Sequence, residues 1–87
     1  RDITLIINNK TSIEEVIKCI SKSSLKYMIN SRISDIFYNM NHENPYKSVT
    51  IELIFQRNVS TLSDKEVNDQ MIILIKRLKD KLNIDIK

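Results

Sequence analysis

Three side chains in the middle of the sequence could act together on a ligand: Asp35, Phe37 and Ser48. Asp35 and Phe37 are two apart in a stretch of β-like composition, which places them on one face of a strand. Ser48 opens the next alternating stretch, on its outward side. A carboxylate, an aromatic ring and a hydroxyl gathered across a hairpin could stack an unpaired base and hydrogen-bond its edges. A plainer assignment has Phe37 plugging the end of a sheet and Asp35 capping a turn. The residues alone favour the plainer one.

Other chemistry-bearing residues have structural explanations. His42 lies in a polar loop without an acid or nucleophile predictably beside it, and reads as a solvated histidine. Glu14 and Glu15 look paired, yet neighbours on a helix do not face each other, and both suit a helix start. Cys19, between Ile17 and Ile20, reads as a packing residue. The cations Lys76, Arg77, Lys79 and Lys81 complement a helix C-terminus, although they could also meet phosphates.

Whole reaction classes are excluded by residue counts. The 87 residues include no Gly, and phosphate loops, dinucleotide-binding turns and nucleophile elbows need it. One Cys and one His cannot build a four-ligand zinc site of Cys and His or an internal disulfide. A self-contained enzyme is not expected, and no cofactor or metal is expected in this stretch of chain.

Four strands and two helices must position the candidate trio. Asp2 to Asn8 alternates and is rich in β-branched residues, predicting a strand. Asn9 to Thr11 is a turn. Ser12 and Glu15 form a capping box, followed by the stripe Ile13, Val16, Ile17 and Ile20 of an amphipathic helix. That helix fades through Ser21 to Ser24. Tyr27 to Tyr38 is β-like, with Ile29, Ser31, Ile33, Asp35 and Phe37 on one side. Neither side is cleanly apolar, which predicts a bulge or a late strand start.

Asn39 to Lys47 reads as the loop of a hairpin whose second strand is Ser48 to Gln56. Val49, Ile51, Leu53 and Phe55 there face inward. Ser63 and Glu66 cap a second helix, with Leu62 and Val67 as its hydrophobic staple. Its core stripe is Val67, Met71, Leu74, Leu78 and Leu82. Asn83 ends it in place of the usual Gly, and Ile84 to Ile86 is a last short strand. Strand, helix, strand, strand, helix, strand predicts an α+β, ferredoxin-like βαββαβ fold, with a four-stranded antiparallel sheet and both helices on one face.

Length and charge add bounds. Residues 1–87 make one domain, with one two-layer core and no deep pocket. The net charge of +3 splits into +1 for residues 1–44 and +2 for residues 45–87, so no basic block exists. The longest apolar run, Met71 to Ile75, is far short of the ~20 residues that span a bilayer, so no membrane partner is expected. The unpaired Cys19 fits a reducing compartment, and the expected location is the cytoplasm. Without a starting Met, the sequence reads as a fragment of a longer chain.

A set of landmarks resembles one family. They are Arg1-Asp2-Ile3, then Asp35-Ile36-Phe37 as an Asp-x-Tyr/Phe motif, then Lys47-Ser48-Val49. Next comes Thr61-Leu62-Ser63-Asp64-Lys65-Glu66-Val67, matching a Thr-Leu-Thr/Ser-Asp-x-Glu-Val signature, and finally Asn83 to Lys87. The sequence is similar throughout to the ferredoxin-fold anticodon-binding domain at the C-terminus of bacterial phenylalanyl-tRNA synthetase beta subunits. The resemblance implies binding of the phenylalanine tRNA anticodon stem-loop, through Asp35, Phe37 and Ser48. It also implies a partner, the catalytic alpha subunit, where ATP and magnesium belong in the parent enzyme.

The sequence departs from that pattern in named places. Phe37 replaces the usual Tyr, which keeps the stacking ring and drops a phenolic hydrogen bond. Ser34 stands for a Phe, the Gly soon after the motif is missing, and Asn83 and Lys87 replace a closing Gly and Arg. Organellar enzymes carry a similar domain; the Arg-Asp-Ile start favours the bacterial form. Other functions share the fold, namely a protein-interaction module or a small-molecule regulatory domain. An apolar open sheet face would favour the former, and a Gly-permitted close approach near Asn8 to Lys10 the latter. A standard RNA-recognition module needs a Gly in its signature, which this chain lacks.

Overall fold

A computed structural model describes residues 1–40, 43–57 and 60–87; His42 lies outside the described residues. The elements are β1 (Asp2–Asn8), α1 (Ile13–Lys22), β2 (Met28–Asn39), β3 (Tyr46–Phe55), α2 (Asp64–Leu82) and β4 (Asp85–Ile86). The strands form one antiparallel sheet in the order β2-β3-β1-β4. This is the expected ferredoxin-like arrangement, with β3 and β1 central and β2 at an edge.

The core lies between the sheet and the two helices. Ile3, Leu5 and Ile7 of β1 and Val49, Ile51 and Leu53 of β3 alternate into it, as a period of two requires. Val16 and Ile20 of α1 meet them from above, with Met71, Leu74 and Leu78 of α2. Ile17 departs from its expected place in the α1 stripe and is 43% exposed. The line Val16–Ile20 points at the core, with Ile13 and Cys19 packed beside it, so Ile17 falls at the margin of the contact. There it borders a narrow gap above Ser31 and Ile33.

Both helix starts are built as the sequence predicts. The Ser12 hydroxyl accepts from Glu15 N at 3.2 Å, and Glu15 Oε2 accepts from Ser12 N at 2.9 Å. Ser63 and Glu66 repeat the arrangement. Asn83 closes α2 in the left-handed conformation, φ 52° and ψ 46°, a role glycine usually takes. In the turn after β1, Asn8 Oδ1 accepts from Lys10 N and Thr11 N, a side-chain substitute for a backbone turn.

Left-handed backbone also appears at Ser24 and Tyr27, with φ 52° and 66°. The connection from α1 to β2 is secured by its surroundings. Gln56 N donates to Tyr27 O at 2.7 Å, and Lys26 N donates to Gln70 Oε1 at 2.9 Å. The Arg57 guanidinium lies 5.4 Å from the centre of the Tyr27 ring and pairs with Glu66 at 2.6 Å. This clip joins the base of the hairpin to the start of α2.

Candidate nucleic-acid interface

Strand β2 carries the irregularity that its imperfect alternation predicts. Ile33 pairs with Ile51, but the next partnered residue, Asp35, pairs with Thr50, so Ser34 is the extra residue of a bulge. A second shift lies between Met28 and Asn30. The bulge at Ser34 corrects one detail of the sequence reading. Ile33 does not share a side with Asp35 and Phe37; it packs under the helices, as Ile36 does. One inserted residue reverses the parity of a strand, because side chains alternate with a period of two.

The consequence is a trio on the sheet face that carries no helix. Phe37 pairs directly with Ser48, and Asp35 pairs with Thr50 two residues along β3. Phe37 is 57% exposed, so it does not plug the sheet. Asp35 sits within a strand and caps no turn. Ser48 is only 7% exposed. Its neighbours across the sheet are Phe37 on β2 and Ile6 on β1.

Around the trio the open face carries polar groups alongside Ile6 and Ile54. Thr4 and Thr50 share a hydroxyl contact of 3.0 Å, and Ser34 Oγ donates to Thr50 O at 3.3 Å. Arg32 makes a two-pronged pair with Glu52, Nε to Oε1 at 2.9 Å and Nη2 to Oε2 at 3.3 Å. Hydrogen bonding to Arg32, with its charge, holds the Glu52 carboxyl below the usual carboxylate range. Since Glu52 neutralises Arg32, Asp35 on β2 and Asp85 on β4 give this face an acidic balance.

Across the edge strand lies a second group that no sequence motif marks. Tyr38, next to Phe37, pairs with Lys47 and is 58% exposed. Together with Asn9, Met40, Pro45 and Tyr46 these residues line a cleft of about 230 Å3. Its signal in the sequence is only adjacency, since two consecutive aromatics on a strand project to opposite faces. Among the described residues no three His, Cys, Asp or Glu side chains gather to hold a metal. No helix built from them is long and apolar enough to cross a membrane.

The model of the ferredoxin-fold anticodon binding domain matches residues 1–87, the whole chain. The chain belongs to this family. The chain is 34% identical over 87 residues to the phenylalanine–tRNA ligase beta subunit of Wigglesworthia glossinidia brevipalpis. It is 30% identical over 87 residues to the same subunit of Streptococcus agalactiae serotype Ia, and 28% to that of Bacteroides thetaiotaomicron. In each comparison the whole chain is covered but only 11% of the relative.

Proposed function

We propose that this domain binds the anticodon stem-loop of a phenylalanine tRNA and positions that tRNA for aminoacylation by a phenylalanine–tRNA ligase of which the chain is part. Support comes from the family match over residues 1–87 and from relatives named as beta subunits of that ligase. The observation that carries the reading is the hairpin register, which sets an exposed Phe37 opposite Ser48 and Asp35 two positions along the same face.

Each member of the trio has a distinct task. The Phe37 ring offers a face on which an unpaired loop base stacks, worth about 1–3 kcal/mol. Asp35 accepts from the base's N–H groups, which gives the site preference for a donor-bearing edge. The Ser48 hydroxyl, on the residue paired with Phe37, donates or accepts at a second edge position. Phe37 in place of tyrosine leaves the stacking intact, so base discrimination falls to Asp35 and Ser48. No bond is made or broken here. ATP, magnesium and the chemistry of aminoacylation belong to the catalytic alpha subunit, the partner of the beta subunit in the parent enzyme, and the location is the cytoplasm.

A protein-interaction role would be favoured by an apolar open face, whereas on this one Thr4, Arg32, Thr50 and Glu52 interrupt the apolar Ile6 and Ile54. The test is a titration of the chain at fixed salt with a phenylalanine anticodon stem-loop. A stem-loop with an unrelated anticodon serves as control. Tighter binding of the phenylalanine stem-loop is expected. Equal, salt-sensitive binding of both would reduce the interaction to nonspecific phosphate contact.

A further inference from the structure

We propose that Tyr38 and Lys47 form a second nucleotide subsite, which takes the loop nucleotide next to the one stacked on Phe37. The inference rests on the anticodon reading and extends it to the helix side of the sheet edge. It begins with the geometry of β2. Phe37 and Tyr38 are consecutive residues of an edge strand, so their rings project to opposite faces. Both are more than half exposed. One base cannot lie on both rings, but an RNA strand crossing the edge presents two bases in succession. Single-stranded loops are recognised in this splayed form.

Electrostatics sets the direction of the crossing. Every nucleotide brings a phosphate, and the open face offers it Asp35 and Asp85, with Arg32 already neutralised by Glu52. Lys47 is the nearest cation in register, one residue from Ser48 and directly opposite Tyr38. Among the described residues it makes no ion pair. The backbone therefore gains by passing over the edge toward Lys47. The following base then meets the Tyr38 ring at the cleft shared with Met40 and Tyr46.

The experiment is a titration of the phenylalanine anticodon stem-loop, with each loop nucleotide made abasic in turn, against wild type, Phe37→Ala, Tyr38→Ala and Lys47→Ala. Tyr38→Ala should weaken binding by about 5- to 150-fold, and one abasic position should abolish that loss. That position should neighbour the one that abolishes the loss from Phe37→Ala. Tyr38→Phe, which keeps the ring, should bind as wild type does. Lys47→Ala should weaken binding to all the loops and reduce the salt slope by about 0.7, one phosphate contact to a single strand. Wild-type affinity in Tyr38→Ala, or one abasic position cancelling both aromatic losses, overturns the second subsite and leaves the first intact. Absence of specific wild-type binding instead overturns the anticodon reading itself.

Discussion

Phe37→Ala separates a ligand-contacting ring from a structural one, and the structure sets both sides of the comparison. A fully buried aromatic side chain hides about 150–250 Å2. Phe37 is 57% exposed, so it hides about 65–110 Å2, or about 1.6–2.8 kcal/mol at ~25 cal/mol per Å2. Alanine keeps part of that area, and the unfolded chain already hides some of it. The net cost to folding is therefore about 1–2 kcal/mol. Truncating the fully buried Leu74 would cost about 2.7–5 kcal/mol.

The variant should consequently remain folded at 25 °C, its melting temperature lower by about 4–8 °C per kcal/mol lost. Binding should weaken by about 5- to 150-fold, the equivalent of one stacked base. Thermal melts followed by circular dichroism and stem-loop titrations at one salt concentration measure the two effects on the same sample. Phe37→Tyr, which preserves the ring, should bind at least as tightly as wild type. Unchanged affinity in Phe37→Ala would remove the ring from the site, and loss of the cooperative melt would return it to a structural role.

Two further predictions concern stability. Glu66 has its pKa lowered first by the Ser63 backbone N–H, then by the Ser63 hydroxyl and Arg57. A carboxyl with a depressed folded-state pKa stabilises the fold above its unfolded value, and that contribution is lost as pH falls through the folded pKa. The melting temperature should therefore fall on acidification from neutral pH to below pH 4, and less steeply in Glu66→Gln; parallel curves would refute this. Asn83→Gly should raise the melting temperature modestly, since the left-handed φ of 52° costs glycine nothing sterically. A lowered midpoint would show that the Asn83 side chain matters more than its backbone.

Residues close together in the chain were the readable ones. Ser12 with Glu15 and Ser63 with Glu66 are three apart, and a capping box needs nothing beyond that spacing. The alternation of Val49, Ile51 and Leu53 and the helical spacing of Met71, Leu74 and Leu78 announce their buried faces. Asn83, with no glycine available, announces the end of α2. Local sequence thus determined the element order and, through it, the fold. It also supplied the motif residues Asp35, Phe37 and Ser48 as candidates.

What tertiary structure decided is which side of the sheet each β2 residue occupies. Alternation alone put Ile33 beside Asp35, and only the pairing with β3 reveals Ser34 as the extra residue. The bulge turns Asp35 and Phe37 to the open face while Ile33 and Ile36 stay under the helices. The burial of Ser48 between Phe37 and Ile6, and the pairing of Tyr38 with Lys47, arise the same way. Each depends on register between strands distant in sequence. Register is set by burying one whole face at once, a property of the assembled sheet and not of any short segment.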